Sequence, residues 1–326
     1  MNYPLSAITE AVQTHNTPVF DRSFDERLIY ARRHSRYLDQ LLNARHEIID
    51  WLSAHEGTPL SADDLRGFLD VSVPESGEAA DDSLLRKGLR QLRQRVMAHL
   101  IVRDIADGAS LAEIVETMTA LADVTTLFAL NRLHSDLSIR YGNPIGSNGE
   151  MQHLAIVGMG KLGGRELNVS SDVDYIFVYP EEGETSGRAD GGGKIDNYDF
   201  FTRLGKRLIA NLNDATEDGQ VFRVDMRLRP NGDSGPLVCS SDMLENYFIT
   251  QGREWERYAW IKARVMNEAD TACAPAMTTS VAKPFVYRKY LDFGAINAMR
   301  ALHAQIRQEV TRKDRMEHIK LGPGGI

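Results

Sequence analysis

The stretch GMGKLGGRELNVSSDVDYIFVY, residues 158–179, combines a glycine-rich turn with an acidic strand. It follows the short apolar run HLAIV (153–157), and both HLAIV and DYIFVY (174–179) are typical of buried strands. Asp172 and Asp174 stand at the mouth of the second strand. Because residues i and i+2 of a strand project from the same face, these two carboxylates share one patch, and they repel each other unless a cation lies between them. A solvated strand end is the alternative interpretation.

A third carboxylate, Asp225, lies in the segment FRVDMRLRP (222–230), which alternates apolar and charged residues as a strand does. Aspartate is unfavourable in the centre of a strand. Three carboxylates on neighbouring strands offer only hard oxygen ligands, which predicts a Mg²⁺ or Mn²⁺ site completed by substrate phosphates. Arg227 and Arg229 share the charged face and are candidates for neutralising a bound anion; ordinary surface ion pairing is equally compatible with them.

The glycines at 158, 160 and 163 spell a GxGxxG motif directly after the first strand. A dinucleotide-binding crossover is disfavoured, because only about seven residues separate the glycines from the next strand and a parallel crossover needs a dozen or more. A glycine-rich turn that carries Lys161 still suits a phosphate, since backbone N–H groups approach it without a Cβ in the way. A tight turn with no ligand remains the other interpretation.

The composition excludes several classes of protein. The 326 residues carry 38 Lys and Arg against 46 Asp and Glu, a net charge of −8, which favours neither disorder nor a generic nucleic-acid coat. The two cysteines, Cys239 and Cys273, have no disulfide or metal spacing, which indicates a reducing cytoplasm. The N-terminus lacks a signal-peptide pattern, and no apolar run approaches the roughly 18 residues that a membrane span needs.

The chain is predicted to contain three regions. Residues 1–148 form a helical N-terminal region, 149–267 a domain built on a mixed sheet, and 268–326 a C-terminal helical segment. Within the sheet domain, 200–212 is predicted as helix and 220–228 as strand. Residues 254–258 (EWERY) are predicted as an amphipathic helix that packs its aromatic residues on the sheet, although they also suit the lining of a site.

The glycine turn, the DxD strand and the later aspartate together resemble the α+β nucleotidyltransferase fold of the DNA polymerase beta type. Residues 150–326 resemble the glutamine synthetase adenylyltransferase family more closely, through GMGKLGGRELNVSSDVDYIFVY, FFTRLGKRLI, RVDMRLRPNGDSGPLV and QGREWERYAWIKARVM. The resemblance implies that Asp172, Asp174 and Asp225 bind the metal. It implies that Gly163 and Gly164 cradle the nucleotide phosphates, with Lys161 as a further phosphate contact.

Members of that family carry two copies of the module, and the resemblance implies that this chain is the N-terminal copy, which removes AMP from a glutamine synthetase tyrosine by phosphorolysis. Phosphate would enter and ADP would leave, with adenylylated glutamine synthetase and a PII signal protein as partners. Adenylylation with ATP and a non-catalytic regulatory scaffold are the alternatives. The last residues, IKLGPGGI, stop where the family continues, which predicts a fragment.

Overall fold

The structure is a computed structural model that describes residues 23–73, 82–188, 190–268 and 277–287, with 297, 300–301, 304–305, 307–308 and 312 beyond them. Predictions for the remaining positions, Cys273 and the last eight residues among them, lie outside the described residues. Across the described ranges, no helix combines the length and apolarity that crossing a membrane requires.

Helices dominate the described chain before residue 142. They are α1 (Phe24–His34), α2 (Arg36–Ala44), α3 (Glu47–Ala54), α4 (Ala62–Ser72), α5 (Ser83–Ile105) and α6 (Leu111–Tyr141). Helices α1 and α4 begin at capping boxes, in which Ser23 pairs with Glu26 and Ser61 with Asp64. Each box satisfies backbone N–H groups that the first helical turn leaves without a partner, so these starts are encoded locally.

A mixed sheet follows, as the sequence predicted; in the described residues it has five strands, two more than the sequence indicated. The strands are β1 (Ala155–Gly158), β2 (Val173–Tyr179), β3 (Val224–Asp225), β4 (Val238–Ser240) and β5 (Arg264–Val265). Strand β1 pairs antiparallel with β2 and β5, whereas β3 and β4 both pair parallel with β2. The antiparallel β1–β2 pair excludes the dinucleotide-binding crossover, which joins parallel strands.

The remaining helices flank these strands. They are α7 (Gly160–Gly163), α8 (Asn197–Asn213), α9 (Ser241–Thr250), α10 (Glu254–Trp260) and α11 (Lys283–Val286), with a π-helical turn at Met277–Ala282. On one face of β2, Tyr179 stacks on Phe201 of α8. The opposite face, with Ile176 and Val178, belongs to a core that includes Phe248 and Trp260. Because both faces are covered, β2 is apolar throughout rather than alternating.

The strand predicted over 220–228 is wrong in length, because β3 is only two residues long. Directly after Asp225 the chain enters successive turns, in which the N–H of Arg229 donates to the Met226 carbonyl (3.2 Å) and that of Gly232 to the Arg229 carbonyl (2.8 Å). Pro230 has no N–H for a sheet ladder. Arg227 and Arg229 therefore lie on a turn and not on a strand face.

The chain divides into two compact units, each assembled from separate stretches. Its described residues fall into a first unit within 1–129, 165–171 and 210–223 and a second unit within 130–164, 172–209 and 224–326. In the first unit Arg90, which is 1% exposed, donates to the carbonyls of Gly219 (2.9 Å), Asn211 (3.0 Å) and Asp214. One buried guanidinium thus holds 210–223 to the helices of this unit. All five strands and all predicted site residues belong to the second unit.

Candidate active site

The structure brings the acidic residues of two strands together. Asp174 of β2 and Asp225 of β3 are register partners in the parallel pair, so their side chains lie on the same face, with the strands roughly 4.8 Å apart. Asp172 precedes β2 by one residue and Asp174 by two. The sequence predicted that Asp172 and Asp174 share a patch, with Asp225 as a third carboxylate on a neighbouring strand; the register sets Asp225 beside Asp174.

The glycine turn lies against this patch. Met159 follows β1 and donates its N–H to the Asp174 carbonyl at 2.9 Å. Gly160 has a φ of +56°, and a Cβ there would stand 3.4 Å from Asp174 Oδ2. A residue with a side chain would strain the backbone at this positive φ, so glycine is required here.

Gly163 is needed for packing. A Cβ on Gly163 would lie 2.0 Å from the Lys262 carbonyl oxygen and 2.5 Å from that of Gly158. Arg264 of β5 also holds the glycine turn, because its guanidinium donates to the Leu162 carbonyl at 3.3 Å. Arg264 was not predicted from the sequence; the signal that could have found it was a charged residue shortly after the helix predicted over 254–258.

The N–H groups of Gly163 and Gly164 are engaged in the turn. They donate to the carbonyls of Met159 (3.1 Å) and Gly160 (3.0 Å), respectively. A phosphate cradle at these two glycines stays a prediction, and it requires those two bonds to be exchanged for phosphate contacts. Lys161 is half-buried on the same turn.

Arg227 covers the Asp225 carboxylate. Its Nε lies 3.1 and 2.9 Å from the two carboxylate oxygens, its Nη2 lies 2.5 Å from Oδ2, and its backbone N–H donates to Oδ1 at 2.8 Å. The hydrogen bond and charge of Asp225 raise the pKa of Arg227 above its usual value, and Asp233 and Asp174 raise it further. The guanidinium therefore stands in the combined field of several carboxylates.

Arg229 has a different environment from Arg227. Its Nη1 donates to the Met226 carbonyl at 2.8 Å and to Asp233 at 3.4 Å, and its side chain is only 13% exposed. Its Nε is buried and has no hydrogen-bond partner among the described residues. These contacts stabilise the turn that follows β3.

The aspartate oxygens suit Mg²⁺ or Mn²⁺ in type, because both metals prefer hard oxygen ligands. Within the described ranges, however, no group of three or more His, Cys, Asp or Glu side chains is placed to hold a metal ion. Asp225 instead points its carboxylate at Arg227. Metal binding by Asp172, Asp174 and Asp225 is thus a proposal that requires Asp225 to leave Arg227.

The packing predicted for the aromatic residues of helix α10 is wrong. Trp255 and Tyr258 are exposed, at 42% and 41%, whereas Glu256 and Arg257 are buried at 3% and 4%. Glu256 accepts from the Arg253 N–H at 2.9 Å and from the Tyr247 hydroxyl at 2.6 Å. This capping interaction turns Glu256 inward and leaves Trp255 and Tyr258 facing outward, while Trp260 of the same helix lies in the core.

The antiparallel strand pair joined by a glycine turn, with in-register aspartates on β2 and β3, has the architecture of the polymerase-beta type of nucleotidyltransferase fold. The family model described as glutamate-ammonia ligase adenylyltransferase matches residues 26–278. The chain belongs to this family.

Curated relatives agree with the family match. Proteins named bifunctional glutamine synthetase adenylyltransferase/adenylyl-removing enzyme are similar to this chain. The one from Aromatoleum aromaticum is 55% identical over 92% of the chain and 31% of the relative. Those from Chromobacterium violaceum and Neisseria meningitidis serogroup B are 54% and 49% identical, over 90% and 93% of the chain and 31% and 33% of the relatives. The chain thus spans about a third of the length of these relatives.

Proposed function

We propose that this chain removes AMP from a modified tyrosine of glutamine synthetase by phosphorolysis, taking up inorganic phosphate and releasing ADP. The observation that carries the proposal is the match to the N-terminal third of relatives named for both adenylyl transfer and adenylyl removal. By the resemblance described above, the N-terminal copy of the module is the one that removes AMP. The PII signal protein is a partner proposed from that resemblance alone.

The chemistry requires one bond to form and one to break at phosphorus. An oxygen of inorganic phosphate bonds to the phosphorus of the adenylyl group, while the bond from that phosphorus to the tyrosine oxygen breaks. ADP leaves, and the tyrosine phenolate takes a proton from water. A phenol, with a pKa of about 10, is a tolerable leaving group, so a dedicated general acid is not required.

The residues at the carboxylate patch supply binding and charge. A divalent cation held by Asp172, Asp174 and Asp225 would neutralise charge on the phosphate oxygens and on the departing phenolate. Two anions must meet in this reaction, and cationic side chains lower that barrier. Arg227, on the turn after β3, and Lys161, on the glycine turn, are the candidates to orient the phosphates. The register of Asp174 with Asp225 supports this arrangement.

The test is phosphate-dependent ADP release from adenylylated glutamine synthetase in the presence of Mg²⁺ or Mn²⁺. Asp174→Asn is expected to reduce the rate by at least about 100-fold, because it removes a metal ligand and a charge from the site. Its free energy of unfolding should change by less than about 1 kcal/mol, since the substitution also relieves carboxylate repulsion. Asp70→Asn, on an exposed ion pair of α4, is the matched control and should leave the rate unchanged.

Other outcomes assign the alternatives. Pyrophosphate release from ATP and unmodified glutamine synthetase, without phosphate-dependent ADP, would mean that this copy adenylylates. If this chain binds glutamine synthetase but releases neither ADP nor pyrophosphate, this copy of the module is a scaffold. If Asp174→Asn lowers the free energy of unfolding by much more than about 1 kcal/mol, and the lost rate follows from the lost folded protein, that aspartate is structural.

A further inference from the structure

Asp225 and Arg227 form an asymmetric pair at the edge of the sheet. The Asp225 side chain is 15% exposed, whereas the Arg227 side chain is 74% exposed. The carboxylate therefore lies inside, against the register partner Asp174, and the guanidinium covers it from the solvent side. Such a cation reaches the patch from outside and can leave it without disturbing a packed core.

The contacts of Arg227 are directed almost wholly at this one carboxylate. Both oxygens of Asp225 accept from its guanidinium, and the backbone N–H of Arg227 donates to the same group at 2.8 Å. The charge of Asp174, on the neighbouring strand, also raises the pKa of Arg227. Arg227 thus stands where two in-register carboxylates attract a cation.

Arg229 provides the contrast within the same turn. It is largely buried and donates to a backbone carbonyl, so moving it would break the turn. Arg227 has no comparable anchor among its hydrogen bonds in the described part of the chain. Of the two arginines, Arg227 is the one that can change partner.

We propose that Arg227 is a tethered counter-ion of the metal site, which pairs with Asp225 in the absence of metal and is displaced when a divalent cation binds. The displaced guanidinium then faces the phosphate groups of the substrate, so one side chain couples metal loading to phosphate binding. The exchange makes and breaks no covalent bond. This inference deepens the proposed function and rests on its metal site.

The test measures Mn²⁺ binding to this chain by electron paramagnetic resonance, which needs no turnover. Arg227→Gln is expected to tighten Mn²⁺ binding about fivefold, because a competing cation is removed. The matched control is Arg188→Gln. Arg188 pairs with Asp190, also two residues away, in the exposed loop after β2, with contacts of 3.1 and 2.9 Å. This control should bind Mn²⁺ as the unaltered chain does.

A second measurement uses inorganic phosphate as the probe, with Mn²⁺ present. Arg227→Gln should weaken phosphate binding about tenfold, since a charge-assisted hydrogen-bond donor is lost. The two effects of one substitution therefore have opposite signs. A variant whose site was merely distorted would bind both ligands more weakly.

The outcomes separate this inference from the proposed function. If the unaltered chain binds Mn²⁺ through Asp225 but Arg227→Gln binds it equally or more weakly, only the role of Arg227 is overturned. Absence of Mn²⁺ binding in the unaltered chain and in Arg227→Gln overturns the metal site and this inference together. Asp225→Asn identifies the ligand, because it should abolish Mn²⁺ binding in both backgrounds.

Discussion

Gly163 illustrates at the scale of one residue how the active-site turn is built. Its missing side chain admits the backbone of residue 262, and a Cβ would overlap two carbonyl oxygens that have no flexible end to move aside. A glycine in a nucleotide-binding motif is usually explained by the approach of a phosphate. Here close packing against the chain before β5 already requires it.

We expect Gly163→Ala to lower the free energy of unfolding by about 2–4 kcal/mol, because the added methyl forces backbone shifts in a packed turn. Urea denaturation followed by circular dichroism measures this. The matched control is Gly67→Ala within α4, where a Cβ meets no atom of the described chain within 4 Å. That change should stabilise by about 0.5–1 kcal/mol, because alanine favours helix. Similar effects at both positions would contradict the packing role.

Helix α10 shows at the scale of an element that hydrogen bonds can override an apolar stripe. Trp255 and Tyr258 are three residues apart, the spacing of a buried face. The face that is buried carries Glu256 and Arg257 instead, with Arg257 bonded to Glu254 at 3.1 Å and lying over the Phe285 ring. Both buried charged groups have hydrogen-bond partners close by in the chain, which makes this orientation possible.

Glu256→Ala is expected to cost about 2–3 kcal/mol of unfolding free energy, because it leaves the Tyr247 hydroxyl and the Arg253 N–H without their acceptor. Trp255→Ala on the same helix should cost no more than about 1 kcal/mol, since that side chain is exposed. Urea denaturation of the two variants gives the comparison. A larger loss for Trp255→Ala than for Glu256→Ala would mean that the helix packs the other way round.

At the scale of the whole molecule, each compact unit buries a histidine that is far from its usual protonation equilibrium. Burial lowers the pKa of His99 to about 4, with the charge of Arg103 contributing. Burial and the neighbouring His153 lower the pKa of His134 to about 4 as well. The Nε2 atoms of both rings are buried, and neither has a hydrogen-bond partner within the part of the chain that the structure describes. Both rings are therefore neutral in the folded protein at neutral pH.

These shifts predict a loss of stability in mild acid. An unfolded histidine, with a pKa of about 6.5, binds a proton before the folded one does, so folding stability is complete above that pH and declines as the pH falls towards 4. Each histidine should cost the protein about 2 kcal/mol between pH 7 and pH 5. Urea denaturation at both pH values tests this. In His99→Leu the loss of unfolding free energy between pH 7 and pH 5 should be smaller than in the unaltered chain. An unchanged loss would assign this pH dependence to other groups.

Several features of this fold were predictable because they depend on near neighbours in the chain. The i and i+2 spacing placed Asp172 and Asp174 on one face, and the apolar run of β2 predicted a strand covered on both sides. The short link after the glycines excluded a parallel crossover, and the structure confirms it with an antiparallel pair. Capping residues such as Ser61 encode helix starts within a few positions.

The tertiary structure decided what depends on residues distant in sequence. The register that sets Asp225 beside Asp174 joins positions 51 apart, and Arg90 joins α5 to a segment more than 120 residues later. Strand alternation predicted Arg227 on a strand face, but the chain turns after Asp225, and only that turn sets the guanidinium on the carboxylate. Local spacing determines which side chains share a face, whereas long-range packing and competition among hydrogen-bond partners decide which charges meet.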